Sequence, residues 1–120
     1  MVQSLHFFKP GQDVTCTPTT DVEGARFVTV TEGGTYNRPH ITYAAADALT
    51  FGVTARDAKA DEPVLTHTGG IVPITAGEAV KAGDTVYAGA DGKAVTTGTV
   101  ARGIAIADAT SGELASVHML

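Results

Sequence analysis

Thr85-Val-Tyr-Ala-Gly-Ala-Asp-Gly-Lys-Ala-Val-Thr-Thr97 sets two short runs of Val, Tyr and Thr on either side of Asp91-Gly92. A tight hairpin turn needs left-handed backbone at its centre, which Asp-Gly supplies at little steric cost. The segment therefore reads as a β-hairpin. The pattern recurs downstream, where Thr99 to Asp108 and Glu113 to Leu120 flank Ala109-Thr-Ser-Gly112 as a second hairpin. Upstream, Val64 to Thr68 and Ile71 to Ile74 are short strands around Gly69-Gly70. Gly24 to Thr31 (GARFVTVT) is a further strand, and Glu32-Gly33-Gly34-Thr35 reads as the turn that ends it. Asp13 to Thr20 alternates weakly, and Pro18 confines it to an edge or a strand end. Tyr36 to His40 loses regularity at Pro39. Two segments suggest something other than extended chain. Ala44 to Leu49 has the propensity for one short helix. Thr75-Ala-Gly-Glu78 has the spacing of a capping box and can start a single turn.

Composition points the same way. The 120 residues include 19 Ala, 18 Thr, 13 Val and 14 Gly, against 5 Leu, 7 aromatics and no Trp. Val and Thr suit pleated strands and Gly the turns between them. The expected fold class is all-β: a small single domain with hairpins and at most one short helix. The length matches one core. A net charge of −5 leaves no basic footprint for nucleic acid, and no basic amphipathic segment addresses a membrane. No apolar run approaches the roughly 18 residues of a spanning helix, and no secretory signal is visible at the N-terminus. The lone Cys16 excludes an internal disulfide and fits synthesis in a reducing compartment.

An internal similarity organises the chain. Gly52-Val-Thr-Ala-Arg-Asp-Ala-Lys-Ala-Asp-Glu62 through His67 can be laid on Gly103-Ile-Ala-Ile-Ala-Asp-Ala-Thr-Ser-Gly-Glu113 through His118 at a constant offset. Gly, Asp, Ala, Glu and His coincide, and Val22-Glu-Gly24 parallels the region of Val80 to Gly83. Two similar β-units, about 22–68 and 80–119, are expected to share one core. They make up a β-domain over 12–120, preceded by an arm over 1–11.

Catalytic patterns are absent. Gly98-Thr-Val-Ala-Arg-Gly103 has the glycine spacing of a phosphate loop but lacks its lysine. No two of His6, His40, His67 and His118 stand three or four residues apart, so a metal site would need the fold to gather them. Asp57 and Asp108 each open a turn, where an aspartate bonds its own backbone. Asp91-Gly92-Lys93 has the hairpin-tip position of a lipoyl or biotinyl attachment lysine, but an ordinary type I′ turn with a solvated lysine is the reading that accounts for it. No enzyme, no cofactor and no metal is expected. The conspicuous feature is the arm, where Leu5, Phe7, Phe8 and Lys9 precede the turn Pro10-Gly11. Leaving a large apolar side chain in water costs roughly 1.5–3 kcal/mol, so the arm either folds back or docks on another chain.

The run Val80-Lys-Ala-Gly-Asp-Thr-Val-Tyr87, Asp91-Gly-Lys-Ala-Val-Thr96 and Arg102-Gly-Ile-Ala-Ile-Ala-Asp-Ala-Thr-Ser-Gly-Glu-Leu-Ala-Ser-Val-His118 resembles the capsid decoration (cement) proteins of tailed bacteriophages. The match spans about the last 70 residues; the first 50 agree in style, and Tyr36 to Leu49 looks like an insertion. The resemblance implies a compact β-barrel or β-tulip-like domain on the outer capsid surface of the virion. It also implies homotrimers that tie neighbouring major capsid protein subunits together, with no catalytic residues to carry over. The contact residues expected from the sequence are Leu5, Phe7, Phe8 and Lys9. The rival reading is a carbohydrate- or peptide-binding β-module of a phage tail or fibre accessory protein. That module should cluster exposed aromatics on one face, with Tyr36, Tyr43 and Tyr87 as candidates.

Overall fold

The computed structural model describes residues 7–120, so Leu5 lies outside the described residues. Ten strands follow one another: β1 Val14–Pro18, β2 Phe27–Thr35, β3 Arg38–Tyr43, β4 Gly52–Thr54, β5 Val64–His67, β6 Ile71–Thr75, β7 Thr85–Ala88, β8 Ala94–Val95, β9 Gly103–Ala105 and β10 Leu114–Met119. The first five close into a barrel in the order β1-β3-β2-β4-β5, and β5 returns to pair with β1. The last five form a sheet in the order β6-β10-β9-β7-β8. One short 3-10 turn, Ala90–Gly92, is the sole helical element among the described residues. The fold is all-β.

The two sets of strands are built to one plan, visible in the register. Val14 pairs with Thr66 as Val72 pairs with Val117, and Phe27 with Val53 as Thr85 with Ile104. Val53 pairs with His67 as Ile104 pairs with His118. Even the parallel contact that closes the barrel, Pro18 with Ile41, has its counterpart in a single bridge between Ala76 and Ala94. Loops follow suit. Val22 bridges to Ala58 and Val80 to Ala109, while Asp57 accepts the Gly24 N–H and Asp108 the Ala82 N–H, each at 2.8 Å.

One wall serves both cores. Val28 faces the barrel interior with Val14, Cys16, Ile41 and Val64. Its neighbour Phe27 points the other way, with Val53, into the core lined by Val72, Ile74, Val86 and Val117. All three residues of β4 are buried, as a strand covered on both faces must be. Gly92, at φ +71, presses on the Phe27 carbonyl, where any β-carbon would collide. Arg26 donates to the Asp91 carbonyl at 3.0 Å, so the Asp-Gly hairpin lies against the joint between the two sets. It is not the free tip that the sequence suggested.

Other expectations are corrected. Glu32 to Thr35 is strand, because β2 and β3 stay paired beyond a register shift between Thr31 and Thr35, and the turn comes at Tyr36-Asn37. Pro39 sits inside β3 at that irregularity, where the ladder has no pairing to lose. Ala44 to Leu49 is not helical: Asp47 adopts φ +57. Its carboxylate accepts the Val100 N–H at 2.8 Å and both the N–H and hydroxyl of Thr99. Thr75-Ala-Gly-Glu78 caps nothing, since Glu78 instead accepts the Thr96 N–H and hydroxyl at 2.8 and 2.6 Å.

Two outcomes are expected. Phe27→Ala empties the shared wall and should cost about 3–5 kcal/mol in denaturant unfolding; a loss below 1 kcal/mol would show the wall to be incidental. The second concerns acid. Hydrogen bonds from Val100 and Thr99 hold the Asp47 carboxyl below the usual carboxylate range. Its contribution is therefore complete above about pH 4 and is lost as pH falls through the depressed folded value. Asp47→Ala should lower the melting temperature at neutral pH, and the gap to the parent should close in acid. A gap that does not change with pH would rule out the charge as its source.

Candidate interaction site

In the second set of strands the hairpin β7–β8 is short and turns through Ala90–Gly92. Its counterpart β2–β3 carries extra length, and residues 32 to 38 are all exposed. Gly33, at φ +99, accommodates the irregularity, and the Thr35 hydroxyl donates to Asn37 Oδ1 at 2.8 Å to fix the turn. The result is a finger tipped by Tyr36, which is 67% exposed. Nothing in the repeated plan requires it.

The arm reaches that finger. Pro10-Gly11 forms a type II turn: Gly11 has φ +76, and the Gln12 N–H donates to the Lys9 carbonyl at 3.0 Å. The Lys9 N–H donates in return to Gln12 Oε1 at 2.8 Å. The arm residues then divide. Phe8 is half-buried against the barrel core, with Tyr43 and Phe51. Phe7 is 73% exposed and stacks on Tyr36, their ring centroids 4.6 Å apart. Lys9 is exposed. Sequence reasoning found Phe7 and missed its partner. The available signal was a tyrosine beside Asn37 between two strand-like runs, at a hairpin tip.

The remaining candidates have structural work. The Tyr43 hydroxyl accepts the Glu23 N–H at 2.7 Å, and its ring lies under the Arg26 guanidinium. The Tyr87 ring lies against Gly98. The three tyrosines thus occupy separate environments. Cys16 is fully buried in the barrel, and burial pushes its thiol up, away from the reactive thiolate. His67 Nδ1 lies 3.0 Å from Asp13 Oδ1. Among the described residues no group of three or more His, Cys, Asp and Glu side chains could hold a metal ion. Two shallow pockets of about 300 and 320 Å³ flank Asp57 and Asp108, one beside each of the equivalent bridges. The outer face of the second sheet exposes Ile71, Ile104 and Leu114, with Ile106 beside them, interleaved with Thr75, Ser116 and His118.

Among solved structures, the head fiber gp8.5 N base of bacteriophage phi29 is similar at a TM-score of 0.78 and 23% identity, over 90% of this chain and 92% of that one. At that identity the likeness is one of fold. No curated protein matches. The profile of the phage cement proteins, however, matches residues 8–119, all of the described chain but its first and last residue. The chain belongs to the phage cement protein family and is a structural protein of the phage virion.

Proposed function

We propose that the chain sits on the outer capsid surface as a homotrimer and binds the major capsid protein, tying neighbouring subunits together. The arm, through Leu5, Phe7, Phe8 and Lys9, provides contact with the capsid or with a neighbouring copy. The observation that carries this reading is the Phe7–Tyr36 pair, two packed aromatic rings left in solvent at the end of a hairpin extension that its counterpart β7–β8 lacks. Aromatic anchors of this kind dominate binding energy at interfaces. Family membership supports the setting, and the two similar units, about 22–68 and 80–119, give the arm a rigid base.

The division within the arm sharpens the test. Phe8 packs on the barrel, so Phe8→Ala should cost stability, whereas Phe7→Ala should leave the melting temperature unchanged. Phe7→Ala, or deletion of residues 1–7, should still weaken occupancy of undecorated capsids at least tenfold, about 1.4 kcal/mol. Unchanged occupancy would reject the arm as the contact. Decorated particles should show density for three copies around local threefold positions, and isolated monomers elsewhere would overturn the trimer.

A further inference from the structure

The joint within the chain has a pattern that is left unfinished at one end. The β7–β8 hairpin packs on the face of the barrel where Phe27 stands opposite Val53, with Gly92 against Phe27 and Asp91 bonded to Arg26. In the second sheet the same register position is held by Thr85 opposite Ile104. Both are exposed, and among the described residues no hairpin covers them. The barrel's counterpart of the covering hairpin is the β2–β3 finger, whose tip is uncovered too.

We propose that the two uncovered halves meet between copies: the β2–β3 finger of one chain lies on the outer face of the next chain's second sheet. This rests on the self-association proposed above and names its surface. Three observations identify a second copy as the occupant. First, the contact continues an interface the chain already makes, with hairpin and sheet face in the same relation. Second, the outward positions of β6, β9 and β10 hold no Lys, Arg, Asp or Glu, and the finger's tip, Tyr36-Asn37, is uncharged. Copies that each carry −5 repel least there. Third, the chemistry matches: the stacked Phe7 and Tyr36 rings on one side, and Ile71 at 62% and Leu114 at 61% exposure with Ile104 and Ile106 on the other.

The contact is head-to-tail, so each copy gives a finger and receives one, and three such contacts close a ring. The barrel is already filled by its own core, and Thr85 in place of Phe27 requires no plug to be inserted. Three strands about 4.8 Å apart offer a face of roughly 200–300 Å², well below the ~800 Å² per partner of a stable pair. Ring closure or a template must supply the rest.

The test uses the full chain, in solution at high concentration and on undecorated capsids. With Asn37→Cys and Thr85→Cys combined, exposed positions that leave Tyr36 and Ile104 in place, mild oxidation should give an inter-chain ladder that ends at a covalent trimer, Cys16 being buried. Ile104→Lys changes a half-exposed side chain. It should keep the parent's melting temperature and lower the trimer fraction at least tenfold by sedimentation; Tyr36→Ala should do the same. A parent trimer that survives both substitutions and yields no inter-chain disulfide overturns this contact and leaves self-association standing. A parent that stays monomeric both free and on capsids overturns both.

Discussion

The structure depends on a wall with no solvent side. The start of β2, Phe27-Val28, and all of β4 are buried, with Phe27 and Val53 turned toward one core and Val28 toward the other. A strand in that position cannot alternate apolar and polar residues, and Phe27-Val28 is accordingly a continuous apolar pair. Groups close to it are small or largely paired. Arg26 is nearly buried beside it; its terminal nitrogens are met by Glu23 and by the Asp91 carbonyl and its guanidinium lies on the face of Tyr43, while its Nε has no partner. Gly52 leaves room for the His67 carbonyl and Gly92 for that of Phe27. The Asp91-Gly92 turn is thus held at the joint by contact as much as by its own dihedral preference.

The same wall explains the composition. Register-equivalent positions of the two strand sets carry different volumes: Ile41 against Ala94, Val64 against Ala115, Thr54 against Ala105. The second set is emptier, and Phe27 enters from outside to share its core. Interiors pack to near-crystalline density, so a large residue on one side demands small ones on the other. The alanines of this core, among them Ala88, Ala94, Ala105 and Ala115, therefore make room for one phenylalanine shared between two similar halves. Abundant alanine also left the sequence ambiguous at Ala44 to Leu49, where alanine favours helix in isolation.

What was legible was short-range. The Asp-Gly hairpin, the final hairpin and the offset linking Gly52–His67 with Gly103–His118 rest on spacings within a few residues, and the strands appear there. Long-range contacts stayed hidden. The helix at Ala44 to Leu49 gives way because Asp47 accepts hydrogen bonds from residues about fifty positions away. Glu78 is drawn from its cap by Thr96 in the same manner. Gly33-Gly34 looked like a turn because glycine permits one, yet here it carries an irregularity in a strand pair that continues. At the site, Phe7 was visible as an uncommitted aromatic, whereas Tyr36 became its partner only once a turn at Pro10-Gly11 and a hairpin at Tyr36-Asn37 were both in place.

Closure constrains how such a chain can associate. The barrel has no free strand edge, and the second set is an open sheet whose outer strands, β6 and β8, come together only at the single Ala76–Ala94 bridge. Adding a neighbour's strand to an edge, the cheapest route to strand-to-strand assembly, is therefore foreclosed on the barrel. Association there must go through side chains, on faces or on elements that project. Contacts of that kind are small, and each is weak by itself. Their strength comes from number: linked contacts on a common support act at high effective concentration, and overall binding can exceed any single contact by orders of magnitude. A structural protein with a closed barrel, a sheet face without Lys, Arg, Asp or Glu and one projecting aromatic finger suits repeated placement, where several weak contacts can form together.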